Sequence, residues 1–281
     1  MNTNSNVYTI IYSTILVVVV AAVLAFAASA LKPMQDENIK KETITQVLSA
    51  AAQADESVTI SEDVVAMYAE MAVDAFYVDG NGVIGEHMNI GKENKADIKV
   101  ESTSYLKAQN DIIKKIEAGQ TELLSTLALP VYVIKVNSLT VNVIPCYGAG
   151  LWGPIWGYIA VAEDGRTLDG AIFDHKSETP GLGAKIAEKP FYSQFKGKKF
   201  GEGEKIFDVV KGGANGAENG VDAISGATIT SQSLGKTINT WAKYYQPYLN
   251  SLAAQTVTET EESAETEENA EVEDATVTEE E

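Results

Sequence analysis

The sequence predicts an α+β protein in which a single N-terminal transmembrane helix precedes a mixed α+β domain. Three observations carry this expectation. An uncharged apolar run occupies Ile10 to Leu31, a block of β-branched segments begins at Pro130, and helical patterns lie on both sides of that block. The expected divisions are a membrane anchor at 7–31, a helical part at 35–129, a ligand-binding domain at 130–252 and a disordered acidic tail at 253–281.

The run from Ile10 to Leu31 is interrupted only by Tyr12, Ser13, Thr14 and Ser29. It therefore meets the roughly 20 residues that a helix needs to cross a hydrocarbon core. Ala28-Ser29-Ala30 resembles a signal-peptidase site, but no basic residue precedes the run. The run also exceeds the roughly 7–15 residues of a signal core, so an uncleaved anchor is expected. Ile44, Val47, Leu48 and Ala51 recur at helical spacing within Thr43–Asp55. Ser61-Glu62-Asp63 then reads as an N-cap opening a helix through Ala72. Gly80-Asn81-Gly82 breaks the chain, the polar stretch to Lys99 reads as irregular, and Asp111–Ile116 is a short helical patch.

Strands are expected over Val131–Val136 and Leu139–Ile144, joined by Asn137-Ser138, and over Tyr158–Ala162 and Leu168–Phe173, joined around Asp164-Gly165. Phe207–Val210 is a further short strand. Ser231 to Leu252 closes the domain as an amphipathic helix with Leu234, Ile238, Trp241 and Tyr245 on one face.

Charge and composition exclude several classes. The formal charge is −19, of which −12 falls in Thr256–Glu281, a stretch with twelve acidic residues and no Lys or Arg. Self-repulsion with almost no large apolar side chains predicts disorder there. No basic patch is visible, so nucleic acid is not an expected partner. Cys146 is the single cysteine, and His87 and His175 are the only histidines, so neither a disulfide nor a Cys- or His-rich metal site is expected. Gly148-Ala149-Gly150-Leu151-Trp152-Gly153 matches a dinucleotide fingerprint, but Pro154 and a further strand follow where a helix must open. Gly235-Lys236-Thr237 has the end of a P-loop without its first glycine, because position 230 is Thr. No G-x-S-x-G frame is present.

Three motifs remain. Asp222-Ala223-Ile224-Ser225-Gly226-Ala227-Thr228 places a hydroxyl among small residues directly before the last helix. A phosphate esterified there would meet unpaired N–H groups and the positive end of the helix dipole. By residue type alone, a ligand-free turn and N-cap reads at least as well. The second motif, Glu178-Thr179-Pro180-Gly181-Leu182-Gly183, supplies backbone N–H groups suited to the edge or ribityl chain of a flavin. The third is Gly150-Leu151-Trp152-Gly153, whose indole can cover an isoalloxazine face or equally plug a core. Lys211, before Gly212-Gly213, can neutralise a phosphate or a reduced flavin, or simply face water.

Together these motifs resemble the NqrC family, the C subunits of the bacterial Na⁺-translocating NADH:quinone oxidoreductases. That family shares its FMN-binding domain with the G subunit of the related Rnf complex. The resemblance covers the anchor and Pro130 to Trp241. Gly-Leu-Trp ending at Trp152, Phe195-Lys196-Gly197-Lys198-Lys199, Val209-Val210-Lys211-Gly212-Gly213-Ala214 and the long segment before Pro130 point to NqrC. The acidic tail departs from the family pattern. The resemblance implies an electron carrier with no catalytic residues of its own, in a complex that oxidises NADH, reduces quinone and pumps Na⁺. It implies FMN joined by a phosphoester to Thr228 and placed there by an FAD-dependent FMN transferase that reads Asp222, Ser225 and Gly226. Ser225, Gly226, Ala227, Glu178, Thr179, Gly181, Leu182, Trp152 and Lys211 are the expected cofactor contacts. The implied partners are the other subunits of the complex. The implied location is the bacterial inner membrane, with the FMN domain on the periplasmic face. Lys32, Lys40 and Lys41, read literally by the positive-inside rule, would instead hold the domain in the cytoplasm. An Rnf-type G subunit and a colourless membrane-anchored binding or scaffolding domain are the alternative readings.

Overall fold

A computed structural model describes the backbone of residues 6–203 and 205–276, and the side chains of these as far as residue 254. The chain divides into two units, Met1–Glu42 and Thr43–Glu281. Helix α1 (Asn6–Ala51) supplies all of the described first unit, and its last residues, Thr43–Ala51, belong to the second. It is long and apolar enough to cross a membrane, and its apolar side chains, among them Val17, Leu24 and Phe26, are exposed. Ser13 and Thr14 donate to the carbonyls of Thr9 and Ile10 (2.6 and 2.8 Å), so these hydroxyls are satisfied inside the helix. The sequence pattern suggests two separate helices across this stretch. One is found, because Pro33 removes a single backbone bond without ending the helix.

The second unit is built on a six-stranded antiparallel sheet of β1 (Ala72–Val78), β2 (Ile84–His87), β3 (Leu129–Val136), β4 (Leu139–Ala149), β5 (Pro154–Ala162) and β6 (Leu168–His175). Their order is β2-β1-β3-β4-β5-β6. Successive side chains point to opposite faces, and both faces are covered. Along β3, Leu129 and Val131 enter one core and Tyr132, Ile134 and Val136 the other. The second core is closed by Ile44, Val47 and Leu48 of α1 and by Tyr68 of α2 (Val64–Met71). The first is closed by Leu106 and Ile113 of α3 (Thr103–Glu117) and by the predicted face of α5 (Thr228–Thr276). Leu234, Ile238, Trp241 and Tyr245 are all 1% exposed or less. Short α4 (Lys189–Tyr192) adds Phe191 to a phenylalanine cluster with Phe173, Phe195 and Phe207.

Asp63 is the N-cap of α2, as expected, and accepts the Ala66 N–H (3.0 Å), but the helix stops at Met71 and Ala72 begins β1. Both β1 and β2 lie inside the segment 35–129 expected to be helical, β2 in the polar stretch before Lys99 that reads as irregular, and β1 pairs with β3 across the division drawn at residue 130. Long-range pairing with β3, absent from any local pattern, makes a strand of Ala72–Val78. Cys146 is buried, which pushes its thiol up to about 12 and removes it from thiolate chemistry. β7 (Asp208–Val210) pairs in parallel with β8 (Gly220–Asp222), a strand too short to show in the pattern. Helical backbone continues through α5 to Thr276, within the segment 253–281 expected to be disordered. Ala and Glu, frequent in this stretch, are good helix formers. Side chains from 255 and the residues 277–281 lie outside those described.

Candidate flavin-binding cleft

β8 delivers the chain into a tight turn over Ile224–Ala227, closed by the Ala227 N–H to the Ile224 carbonyl (3.0 Å). Gly226, its third residue, has φ +80°, the value a type II turn requires there. Buried Ser231 locks this turn to α5. Its hydroxyl donates to the Ala227 carbonyl (2.9 Å) and accepts the Ile224 N–H (3.0 Å). The first helical bond is Ser231 N–H to Ala227 O, so the N–H groups of Thr228, Ile229 and Thr230 precede the ladder and face the end of the helix. Thr228 is half-buried at this end, while Ser225 and Gly226 are exposed at the tip of the turn.

A second turn faces it. Thr179-Pro180-Gly181-Leu182 closes by the Leu182 N–H to Thr179 O (3.1 Å), with Pro second and Gly third at φ +75°, again the type II arrangement. The third wall is the β4–β5 connection, where the Gly150 N–H meets the Gly153 carbonyl (2.7 Å). Glu178 ties the three walls together. One carboxylate oxygen accepts the Trp152 N–H (2.9 Å) and the other the Thr230 hydroxyl (2.7 Å).

The result is a cleft of about 290 Å³ lined by Leu151, Trp152, Glu178, Thr179, Leu182, Gly183 and residues 226–230. Its rim is apolar and open to water: Trp152 is 67% exposed, with Leu151, Leu182 and Ile229 also exposed. Trp152 is therefore not a core plug. Four large apolar side chains left in solvent around one cleft mark a surface meant to be covered.

Most of the predicted residues meet here: Thr228, Gly226, Ala227, Glu178, Thr179, Leu182 and Trp152 all line the cleft. Gly181 and Ser225 lie in its turns without lining it. Lys211 is exposed just after β7 and is not among the lining residues. Asp222 accepts the Ala214 N–H (2.6 Å), so it clamps the Lys211–Ala214 loop beside the turn. Leu151 and Gly183, members of the three motifs not counted among the expected contacts, also line the cleft, and the structure adds Ile229, Thr230 and Ser231 beyond those motifs. Helical phase holds the clue for two of them: Thr230 shares the face of Leu234 and Ile238, and Ile229 is apolar off that face. A larger cavity of about 510 Å³, lined by Ser49, Gln53, Lys189, Tyr192 and Lys196 among others, shares no residue with this cleft.

The FMN-binding domain family matches residues 150–243, the span that holds all three walls. The C subunit of the Na⁺-translocating NADH-quinone reductase of Vibrio vulnificus is 31% identical over 231 residues, covering 79% of this chain and 85% of that protein. The chain belongs to the NqrC family, the C subunits of Na⁺-translocating NADH-quinone reductases. The Neisseria meningitidis NqrC is 29% identical, with 86% of this chain and 94% of that protein covered. The crystal structure of the Parabacteroides distasonis NqrC superposes with a TM-score of 0.60 at 32% identity over 78% of this chain and 96% of that one. As an NqrC, the chain is part of an oxidoreductase complex and has an FMN-binding domain behind an N-terminal helix that suits membrane anchoring.

The residues present fit an FMN. Trp152 and Leu182 offer apolar surface for a flat ring, and the open N-terminus of α5 offers N–H groups for a phosphate. The turn that carries Thr228 depends on Gly226. In Gly226→Ala, a Cβ is forced into left-handed backbone and lies 3.3 Å from Leu182 Cδ2. Stability is expected to fall by about 1–2 kcal/mol, read as a lower urea midpoint with an unchanged slope.

Proposed function

We propose that this chain carries FMN as a phosphoester on Thr228 and relays electrons inside a membrane complex that oxidises NADH, reduces quinone and pumps Na⁺. The observation that carries this reading is the convergence of Thr228, an open helix N-terminus and the exposed Trp152 and Leu182 on one cleft. FMN supplies the electron-accepting ring. The chain's own groups hold the phosphate, cover the ring and limit water around it.

Attachment uses FAD and a separate transferase. The Thr228 hydroxyl oxygen bonds to the FMN-side phosphorus of FAD, the P–O–P bridge breaks, AMP leaves with the bridging oxygen, and the hydroxyl proton passes to a base of the transferase. Ser225 and Gly226, exposed at the tip of the turn, are accessible to that enzyme, and Asp222 shapes the loop beside them. In this reading α1 spans the bacterial inner membrane, the FMN domain lies on its periplasmic face, and the other subunits of the complex are the partners.

The test is peptide mass spectrometry on the chain co-expressed with an FAD-dependent FMN transferase. FMN mass is expected on the peptide containing Thr228. An unmodified Thr228, or FMN on another residue, overturns the assignment.

A further inference from the structure

Among the described residues, Glu178 is the only Asp, Glu, Lys, Arg or His that is buried, at 3% exposure. No ion pair among those residues includes it. The nearby His175 accepts the Glu178 backbone N–H through Nδ1 (3.3 Å) and makes no ion pair with its carboxylate. Its two oxygens accept from the Trp152 N–H and the Thr230 hydroxyl, and neither donor brings a compensating positive charge. The backbone is shaped to admit it. A Cβ on Gly150 would stand 2.5 Å from Glu178 Oε1, and one on Gly183 would stand 2.4 Å from Oε2 and 2.7 Å from Thr230 Oγ1. If latching the three walls were the whole task, a neutral amide could make the same two hydrogen bonds.

We propose that the buried carboxylate of Glu178 sets the reduction potential of the flavin in this cleft, lowering it so that the bound flavin is a stronger reductant. This rests on the attachment of FMN at Thr228 proposed above. Glu178 lines the same cleft as Thr228 and bonds the backbone of Trp152, which offers its indole to the ring. An electron added to the flavin brings negative charge into a cleft that already holds one. Because Glu178 is itself out of water, solvent screens the repulsion between the two charges only in part.

Glu178→Gln separates charge from shape. The amide oxygen still accepts the Trp152 N–H, and the amide nitrogen donates to Thr230 Oγ1, which can accept. Spectroelectrochemical titration of the full-length, FMN-loaded chain is expected to show a raised midpoint. At a fixed applied potential the ratio of reduced to oxidised flavin rises about tenfold, or ~59 mV for a one-electron step. Glu178→Leu, which removes the charge and both hydrogen bonds, is expected to shift the midpoint in the same direction and gives a second reading. Thr230→Val leaves the charge and deletes one donor to it, so it is not expected to raise the potential. An unchanged midpoint in both Glu178 variants, on flavin verified at Thr228, overturns this proposal alone. A rise in Thr230→Val equal to that in Glu178→Gln makes the effect one of position and also overturns it. Absence of flavin from Thr228 in the parent chain overturns the attachment and this proposal together.

Discussion

A Thr228→Val chain, co-expressed with the FMN transferase, is expected to show no flavin fluorescence on a denaturing gel, whereas Thr228→Ser keeps the band. Valine matches threonine in shape and removes only the oxygen that forms the ester. Among the described residues no hydrogen bond engages the Thr228 side chain, so the domain loses little with it. The change in stability should stay within about 0.5 kcal/mol, as for other substitutions that break no buried contact. The neighbouring hydroxyls are poor substitutes. Thr230 is 1% exposed and donates to Glu178, and Ser231 is fully buried and bonded to the Ala227 carbonyl. Ser225 is exposed but lies in the turn before the helix, outside its first turn. A fluorescent band surviving in Thr228→Val, mapped to any of these three, would sink the assignment.

Trp241→Ala has the largest expected effect on stability. The indole is 1% exposed in the core between α5 and the sheet, and its N–H donates to the Tyr147 carbonyl (2.7 Å) and to Asn110 Oδ1 (3.2 Å). Truncation leaves a cavity and strips those two buried acceptors of their donor. A loss of about 3–5 kcal/mol is expected from the cavity and lost burial. Set against the roughly 5–15 kcal/mol that holds a domain together, this is a large share of the whole. Urea unfolding of the full chain in detergent, followed by tyrosine and remaining tryptophan fluorescence, gives the measurement. A loss below about 1.5 kcal/mol would mean that α5 is not anchored through this residue, since such a value belongs to volume-conserving core changes. Because the same helix presents Thr228, the variant should also load less FMN.

Legibility in the sequence follows the range of the interactions. The face of α5 is readable because Leu234, Ile238, Trp241 and Tyr245 repeat at the period of the helix itself, and all four are buried. The hairpins at Asn137-Ser138 and Asp164-Gly165 are readable because their turn residues sit beside the strands they join. β1 is not, since Ala72–Val78 continues the apolar texture of α2 and becomes a strand only by pairing with β3, more than fifty residues away. β2 and β8 are four and three residues long, too short for any periodicity. The Glu178 latch joins residues 26 and 52 positions apart, so no local pattern announces it.

The amino-acid order alone determined the apolar run that forms α1, the two Gly-containing turns, and the small-residue approach to Thr228. Each depends on backbone preferences or hydropathy of adjacent residues, which are written in the chain. Folding decided which hydroxyl near that approach stays available and which indole stays in water. Thr230 and Ser231 are withdrawn by buried hydrogen bonds, Trp152 is left exposed, and Lys211 stands outside the cleft. These outcomes depend on how β6, the β4–β5 turn and the start of α5 meet. That meeting is set by packing on a sheet assembled from distant segments.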